Sequence, residues 1–294
     1  MKLTERNIIR EAPALINGRY SLSKAELDLV MTLMTTLDKD DAEFKDYSFT
    51  LKELEKKLGK EINSRQLKDL ILDLWKKPIK LETPNGWEVF GFFSYFKYDK
   101  KGLITCRFDP EMKPYLLDLK QYVIGDYQEL LTIKSGYSKR IYMMLKQYLN
   151  MGKRIIKVDE LRDMLQTPKS YKTYADLKRK VLEQAKTDIN SQTDINIKYD
   201  EIKIGRKVDA IEFYIMSDNT HSYLKNLARF KIYTRANYLN KTIVTMRDGE
   251  VISVCPKGLL YDKITTKTYT TEQSNKLWDL LYTQAKEGKI KLHS

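Results

Sequence analysis

The sequence predicts an α+β fold in which one order of elements occurs twice. Residues 134–216 have the pattern of a helix, a short strand, a helix, a basic helix and two strands that join at Gly205. Residues 24–108 show three helical segments followed by strand-forming sequence, which repeats that order coarsely. Three helices followed by a β-ribbon make a winged helix, whose last helix can enter a DNA major groove. We therefore expect two tandem winged-helix domains, followed by a small C-terminal hairpin-helix extension.

Capping residues and apolar spacing locate the elements of the first half. Thr50 can cap one helix, with Glu53 as its capping-box partner and Gly59 as its stop. Ser64 can cap the next helix, which must end before Pro78. A Pro-Asn-Gly turn then favours a hairpin. The expected helices span 24–37, 51–58 and 65–77, and the expected strands span 79–83, 87–98 and 103–108.

The expected strand 87–98 is aromatic on both faces. Alternation places Trp87, Val89, Gly91, Phe93 and Tyr95 on one face and Phe90, Phe92 and Phe96 on the other. A strand that is apolar on both faces favours burial against a partner as well as the core, which makes Phe92 a candidate dimer-interface residue. A well-packed internal sheet is the other interpretation.

The C-terminal part is predicted to be a hairpin and one helix. Strands at 243–246 and 251–254 flank a turn at Arg247-Asp248-Gly249-Glu250, and Thr271 can cap the helix that follows. So small a unit is expected to dock on the second domain or to fold on a partner or DNA. The expected domain limits are 1–125, 126–218 and 219–294.

The net charge of +13 lies entirely in the second half of the chain. Residues 1–129 hold 22 Lys and Arg against 22 Asp and Glu, whereas residues 130–294 hold 31 against 18. Such asymmetry suggests a region that binds a polyanion beside a neutral region. A merely solvated basic surface is the alternative.

The basic helix of the second half separates its apolar residues from its polar ones. At about 100° per residue, an apolar stripe forms from Tyr174, Leu177, Val181, Leu182, Ala185 and Ile189. Lys178 lies within that arc, so its ammonium must extend outward. Arg can contact guanine and Asn adenine, whereas Lys can contact guanine or phosphate. The residues expected to face DNA are Lys172, Arg179, Lys186 and Asn190, with Lys178 beside them.

Further DNA contacts are expected around this helix. At the wing, Gly205 allows a tight turn from which Arg206 and Lys207 project towards the backbone or minor groove. Loop side chains before the helix can bind phosphate, and so can two cations at the start of the domain's first helix. These residues are Lys169, Ser170, Tyr171 and Thr173 in the loop, and Lys139 and Arg140 in the first helix. Weaker contacts are expected in the first domain from Asn63, Arg65, Gln66 and Lys68.

Other functions lack the residues that they require. The two histidines, His221 and His293, form no metal-binding pair, and no GxxxxGK[ST] phosphate loop occurs. Neither Cys106 nor Cys255 has metal-ligand spacing. No apolar run approaches the length that spans a bilayer, and the N-terminal residues have no signal-peptide core. We expect a cytoplasmic protein that is not an enzyme, with no cofactor, no metal and no membrane partner.

Three segments of the second half resemble, in order, the replication initiators of iteron plasmids. Residues 134–145 resemble the opening helix of that family's second winged helix, 171–185 its recognition helix and 189–213 its wing. Residues 1–129 resemble the first domain more weakly. The matching positions include Tyr137, Arg140, Tyr142, Tyr171, Thr173, Tyr174, Leu177, Lys178, Arg179, Lys180, Tyr199, Gly205, Arg206 and Lys207.

The resemblance implies a replication initiator that binds repeated double-stranded sites, the iterons, at a plasmid or phage origin. It also implies autoregulation by a homodimer formed through the first domain, and a host initiator and helicase as partners. The alternatives are a winged-helix transcription regulator with no role in replication, and an adaptor that binds single strands or RNA.

Overall fold

The computed structural model describes residues 8–38, 40–83, 85–99, 101–218, 242–245, 251–254, 260–262 and 269–286. The chain divides into two compact units, Met1–Ser217 and Asp218–Ser294, which we call unit 1 and unit 2. No helix among the described residues is long and apolar enough to cross a membrane.

Capping boxes begin the three helices of the first winged helix. Ser23, Thr50 and Asn63 each accept a hydrogen bond from the backbone N–H three residues later, and the side chain there bonds back to the cap residue's N–H. The third helix is thus capped by Asn63 and not by Ser64 as predicted. The elements are β1 (Ile8–Glu11), α1 (Pro13–Ile16), α2 (Lys24–Met34), β2 (Tyr47–Thr50), α3 (Leu51–Leu58) and α4 (Ser64–Trp75).

The aromatic segment 87–98 is two strands and not one. β4 (Gly86–Phe90) pairs with β3 (Ile79–Thr83), whereas β5 (Phe93–Tyr98) pairs with β6 (Leu103–Phe108), whose other neighbour is β2. The chain changes sheets at Gly91 and Phe92, so the simple alternation of faces is lost.

The break in this segment moves Phe92 into the core. Phe92 is 3% exposed and packs edge to face on Tyr20, with ring centroids 5.4 Å apart. Its predicted place at a dimer interface is therefore wrong. Trp87 and Val89 are the exposed apolar residues of β4, at 74% and 47% exposure.

The second winged helix has the predicted order of elements. Its three-stranded sheet has β10 (Lys207–Ser217) between β8 (Lys153–Lys157) and β9 (Ile195–Ile204), and the two longer strands form the wing. A helix–turn–helix precedes the wing, and Leu177, Val181 and Ile189 of its second helix are buried. The elements are α7 (Gly136–Lys146), β8 (Lys153–Lys157), α8 (Val158–Leu165), α9 (Tyr174–Leu177), a π-helical turn (Lys178–Leu182), α10 (Glu183–Gln192), β9 (Ile195–Ile204) and β10 (Lys207–Ser217).

The two winged helices of unit 1 share one continuous core. They are joined by α5 (Lys113–Leu116), by β7 (Val123–Asp126), which pairs with β1, and by α6 (Tyr127–Thr132). α7 lies at the centre, and its residues 138–145 are all buried. Cations in this part of α7 therefore have to find partners inside the protein.

Unit 2 contains the predicted hairpin and helix and one further strand. β11 (Thr242–Thr245) pairs with β12 (Val251–Val254), which also pairs with β13 (Leu260–Asp262). Trp278 and Leu281 of α11 (Thr271–Lys286) are buried, and the Ser274 hydroxyl accepts from the Leu260 N–H at 3.3 Å. The predicted turn at 247–250 lies outside the described residues.

Candidate nucleic-acid interface

The loop before the basic helix is fixed by side-chain bonds to its backbone. Arg162 of α8 donates to the carbonyls of Tyr171 and Thr173, at 2.5 and 2.7 Å. Thr173 accepts from the Asp176 N–H at 3.1 Å, and its hydroxyl donates to the Asp176 carboxylate at 2.8 Å. Because this hydroxyl proton is used in the cap, Thr173 is not free to donate to a phosphate, contrary to the prediction.

Exposed cations surround the start of this helix. Lys169, Ser170 and Lys172 are exposed in the loop, and the Lys180 ammonium lies 4.4 Å from the half-buried ring of Tyr171. The Arg179 side chain is 76% exposed and lies 3.8 Å from Asp176, a loose contact that leaves its guanidinium available.

Residues 174–192 form one helix with a π-helical turn at its centre. A π turn adds one residue to an α-helix, so residues after it are rotated relative to the straight α-helical wheel. Lys186 and Asn190, predicted to share a face with Arg179, are both half-buried on the flank beside β9.

Asn190 bonds to protein and does not face outward. Its amide nitrogen donates to the Ile197 carbonyl at 3.0 Å, and its amide oxygen accepts from the Ile197 N–H at 2.7 Å. Both groups that could pair with adenine are used to hold β9 against the helix. The prediction that Asn190 contacts a base is therefore wrong in this conformation.

Carboxylates on either side tie the helix to the wing. Glu201 of β9 accepts from the Tyr174 hydroxyl at 2.9 Å and from the Lys178 ammonium at 2.8 Å. The bond from Lys178 holds the pKa of Glu201 below its ordinary value. On the helix, Glu183 accepts from the Tyr199 hydroxyl of β9 at 2.5 Å. Lys178 therefore extends towards the wing, and its charge is partly neutralised before any DNA binds.

The wing has the geometry that its sequence predicts. Gly205 has a φ of +60°, the left-handed conformation that glycine adopts most easily. Arg206 and Lys207 are exposed at the tip, and the Lys207 ammonium lies 3.9 Å from the exposed Asp159 carboxylate. A contact between two exposed charges at this distance is weak, so both cations can bind phosphate.

Lys139 and Arg140, predicted to bind phosphate, are interior residues. The Lys139 ammonium is 0% exposed, lies 2.7 Å from the Asp28 carboxylate and donates to the Leu130 carbonyl. Burial lowers the pKa of Lys139 to about 8. The prediction is wrong for Lys139 because its partners are supplied by α2 and α6.

Arg140 joins the two winged helices from within. Its guanidinium donates to the carbonyls of Ile16, Gly18 and Tyr20 in the first half, at 3.2, 2.5 and 2.6 Å. It also donates to the Met164 carbonyl of α8 at 2.6 Å, and it lies 3.7 Å from the Tyr20 ring. The prediction is wrong here too, since the guanidinium is enclosed by these carbonyls and cannot reach DNA.

The corresponding helix of the first winged helix offers few free polar groups. Asn63 and Gln66 are exposed but bond to each other's backbone N–H in the α4 capping box. Arg65 and Lys68 are exposed on the same helix, next to the exposed Trp75. This mixed surface fits the expectation that the first domain contacts DNA weakly.

Two residues that shape the site, Arg162 and Glu183, were not predicted from the sequence. In the sequence, Arg162 cannot be distinguished from an ordinary solvent-exposed residue of α8, because spacing does not reveal its two carbonyl acceptors. Glu183 could have been noticed as a lone carboxylate between Arg179, Lys180 and Lys186. No group of three or more His, Cys, Asp or Glu in the described part of the chain is placed to hold a metal ion.

Comparisons with known proteins find relatives of both winged helices. A family model described as "Initiator Replication protein, WH1" matches residues 8–146, and one described as "Initiator Rep protein, WH2" matches residues 157–215. The chain is 24% identical over 277 residues to a replication initiation protein of Escherichia coli, across 90% of this chain and 86% of that protein. The first model includes α7, which lies within the predicted limits of the second domain.

A solved structure also aligns with part of the chain. It is the crystal structure of selenomethionine derivatives of domains 2 and 3 of RctB, at a TM-score of 0.36 and 10% identity. The alignment covers 65% of this chain and 78% of that one.

Proposed function

Since the chain belongs to the family of replication initiator proteins with two winged-helix domains, we propose that it initiates replication by binding double-stranded DNA in a sequence-specific manner. The observation that carries this proposal is the group of exposed cations on one module. Lys169, Lys172 and Arg206 are exposed, and no carboxylate of the described residues lies within ion-pair distance of them. Cations left unpaired in a folded protein are free to neutralise phosphates.

The second winged helix supplies both kinds of contact that specific binding requires. Arg179 projects from the helix that would enter the major groove, where a guanidinium can bond to guanine in a bidentate manner. Arg206 projects from the wing tip, where a phosphate or the minor groove is the expected partner. Lys169, Ser170 and Lys172 border the helix N-terminus and would fix the register on the backbone.

We propose that the DNA sites are directly repeated at an origin and that a homodimer of the chain represses its own gene. Repeated sites suit a chain that carries one strongly basic and one neutral winged helix, because each copy then binds through a single dominant module. The exposed Trp87 and Val89 of β4 support a contact between first domains. A host initiator and helicase are the proposed partners at the origin.

Two substitutions in the full-length chain test the proposal. Arg179→Ala should weaken the specific site, relax the preference at one base pair by about 1–3 kcal/mol, and change binding to random duplex little. Arg206→Ala should weaken specific and random duplexes by similar factors and lower the salt slope by about one. If both variants change the affinity for all duplexes equally, the proposal that the helix selects bases while the wing binds the backbone is refuted.

An origin assay separates initiation from transcriptional regulation. A plasmid that carries the DNA around the gene should replicate only when the chain is supplied, and Arg179→Ala should reduce its replication. Repression of the promoter without any replication of the plasmid would favour the regulator instead.

A further inference from the structure

Glu183 is a carboxylate on the helix that also carries Lys178, Arg179, Lys180 and Lys186. It is exposed on the helix of residues 174–192, four residues after Arg179 and three before Lys186. No cation of the described residues lies within ion-pair distance of it, although Lys178 pairs with Glu201 nearby. A carboxylate that faces DNA repels phosphates, so this position weakens non-specific binding.

The Glu183 side chain is held in one orientation. The Tyr199 hydroxyl of β9 donates to its Oε1 atom at 2.5 Å. The other carboxylate oxygen therefore remains able to accept a second bond. A fixed acceptor on the outward side of a recognition helix has the chemistry to bind the N4 amino group of cytosine, the base that presents a donor without a neighbouring acceptor in the major groove.

We propose that Glu183 is a specificity-determining residue that selects cytosine in the DNA site. It accepts from cytosine N4 and rejects guanine, whose O6 and N7 acceptors would face the carboxylate. Arg179 lies four residues earlier on the same helix, across the π-helical turn. The two side chains therefore select base pairs of one site. This inference rests on the proposed sequence-specific binding of duplex DNA.

The other role open to Glu183 is to position the helix against the wing through Tyr199. Two variants separate these roles. Glu183→Gln keeps an oxygen acceptor for Tyr199 but adds an amide donor, which suits adenine. Tyr199→Phe removes the bond to the wing but keeps the carboxylate. Glu111→Gln, at an exposed carboxylate in the first half, is the matched control for the loss of one negative charge.

The experiment selects bound sequences from a library of random duplexes with each full-length variant, and then measures affinity for single-base variants of the selected site. With Glu183→Gln, the cytosine preference at one position should fall by about 10-fold, adenine should gain there, and the other positions should be unchanged. Affinity for random duplex should rise. Tyr199→Phe should lower the same preference less, and Glu111→Gln should leave the profile unchanged.

Three results would overturn the inference. An unchanged profile for a folded Glu183→Gln variant means that the carboxylate contacts no base. If Tyr199→Phe lowers the affinity for every duplex equally while Glu183→Gln behaves as the unsubstituted chain, Glu183 only positions the helix. If the unsubstituted chain selects no sequence at all, the proposed function itself fails, and that result is distinct from the other two. Thermal melts followed by circular dichroism establish that each variant is folded.

Discussion

The burial of Arg140 leads to a specific prediction. Substitution of an interior Arg140 lowers stability, whereas substitution of a surface Arg140 would weaken DNA binding. Arg140 is 5% exposed, and its guanidinium donates to four backbone carbonyls that belong to both winged helices. Arg140→Met keeps much of the volume and removes every donor. Those carbonyls would then be buried without partners, since α7 is packed on all sides.

The expected loss of stability is large. Each unsatisfied buried acceptor costs about 1–3 kcal/mol, but the chain relaxes and the buried charge is removed as well. Because four carbonyls lose their donor, we expect a net loss of about 3–5 kcal/mol after relaxation. For a unit of this size, that corresponds to a fall of about 6–20 °C in the unfolding temperature.

The assay compares thermal unfolding with the salt dependence of DNA binding for the same proteins. Arg140→Met should unfold at a lower temperature, yet at temperatures where it is folded its salt slope should equal that of the unsubstituted chain. The matched control is Arg206→Met, which is exposed at the wing tip and should behave in the opposite way. A stable Arg140→Met variant with a reduced salt slope would refute the interior role and restore the phosphate contact.

Three further predictions concern unit 1. Burial raises the pKa of Glu11 to about 7, so the native state holds a proton that the unfolded chain releases at lower pH. Stability should therefore fall as pH rises from about 5 to about 7. Glu11→Gln should remove this pH dependence of the unfolding temperature in thermal melts. Phe92→Asp should unfold the protein, which circular dichroism would detect. Trp87→Asp should stay folded and, if β4 forms the dimer contact, should sediment as a monomer. Residues 1–217 alone should retain the salt-dependent binding of the full chain, and loss of that binding would assign the main phosphate contacts to unit 2.

Local signals in the sequence predicted the elements well. The Thr50 and Glu53 capping box, the glycine stop at Gly59 and the wing turn at Gly205 all depend on interactions within a few residues. Those interactions are encoded by spacing alone, so the sequence was sufficient. The same holds for the helix–strand order of the second winged helix.

The burial and the bonding partners of the individual polar side chains depend on residues far away in the sequence. Lys139 and Arg140 begin a helix, where cations are usually solvated, yet the first-half carbonyls bound by Arg140 lie 120 to 124 residues earlier. The change of sheet at Gly91 likewise depends on where β3 and β6 lie. No pattern within these segments contains that information.

The π turn explains why a single α-helical wheel misplaced the residues in the second half of the helix 174–192. The extra residue at 178–182 rotates all later positions back by about 100°. Lys186 and Asn190 then move from the outward face to the flank beside β9, where both are half-buried. Thr187 takes the position opposite the buried Ile189, and so joins Arg179 on the outward face. On the side proposed to face a major groove, the helix therefore presents Arg179, Glu183 and Thr187, whose hydroxyl donates to the Glu183 carbonyl at 2.9 Å. This set is less basic than the predicted one, and the exposed cations of the loop and wing are the proposed backbone contacts.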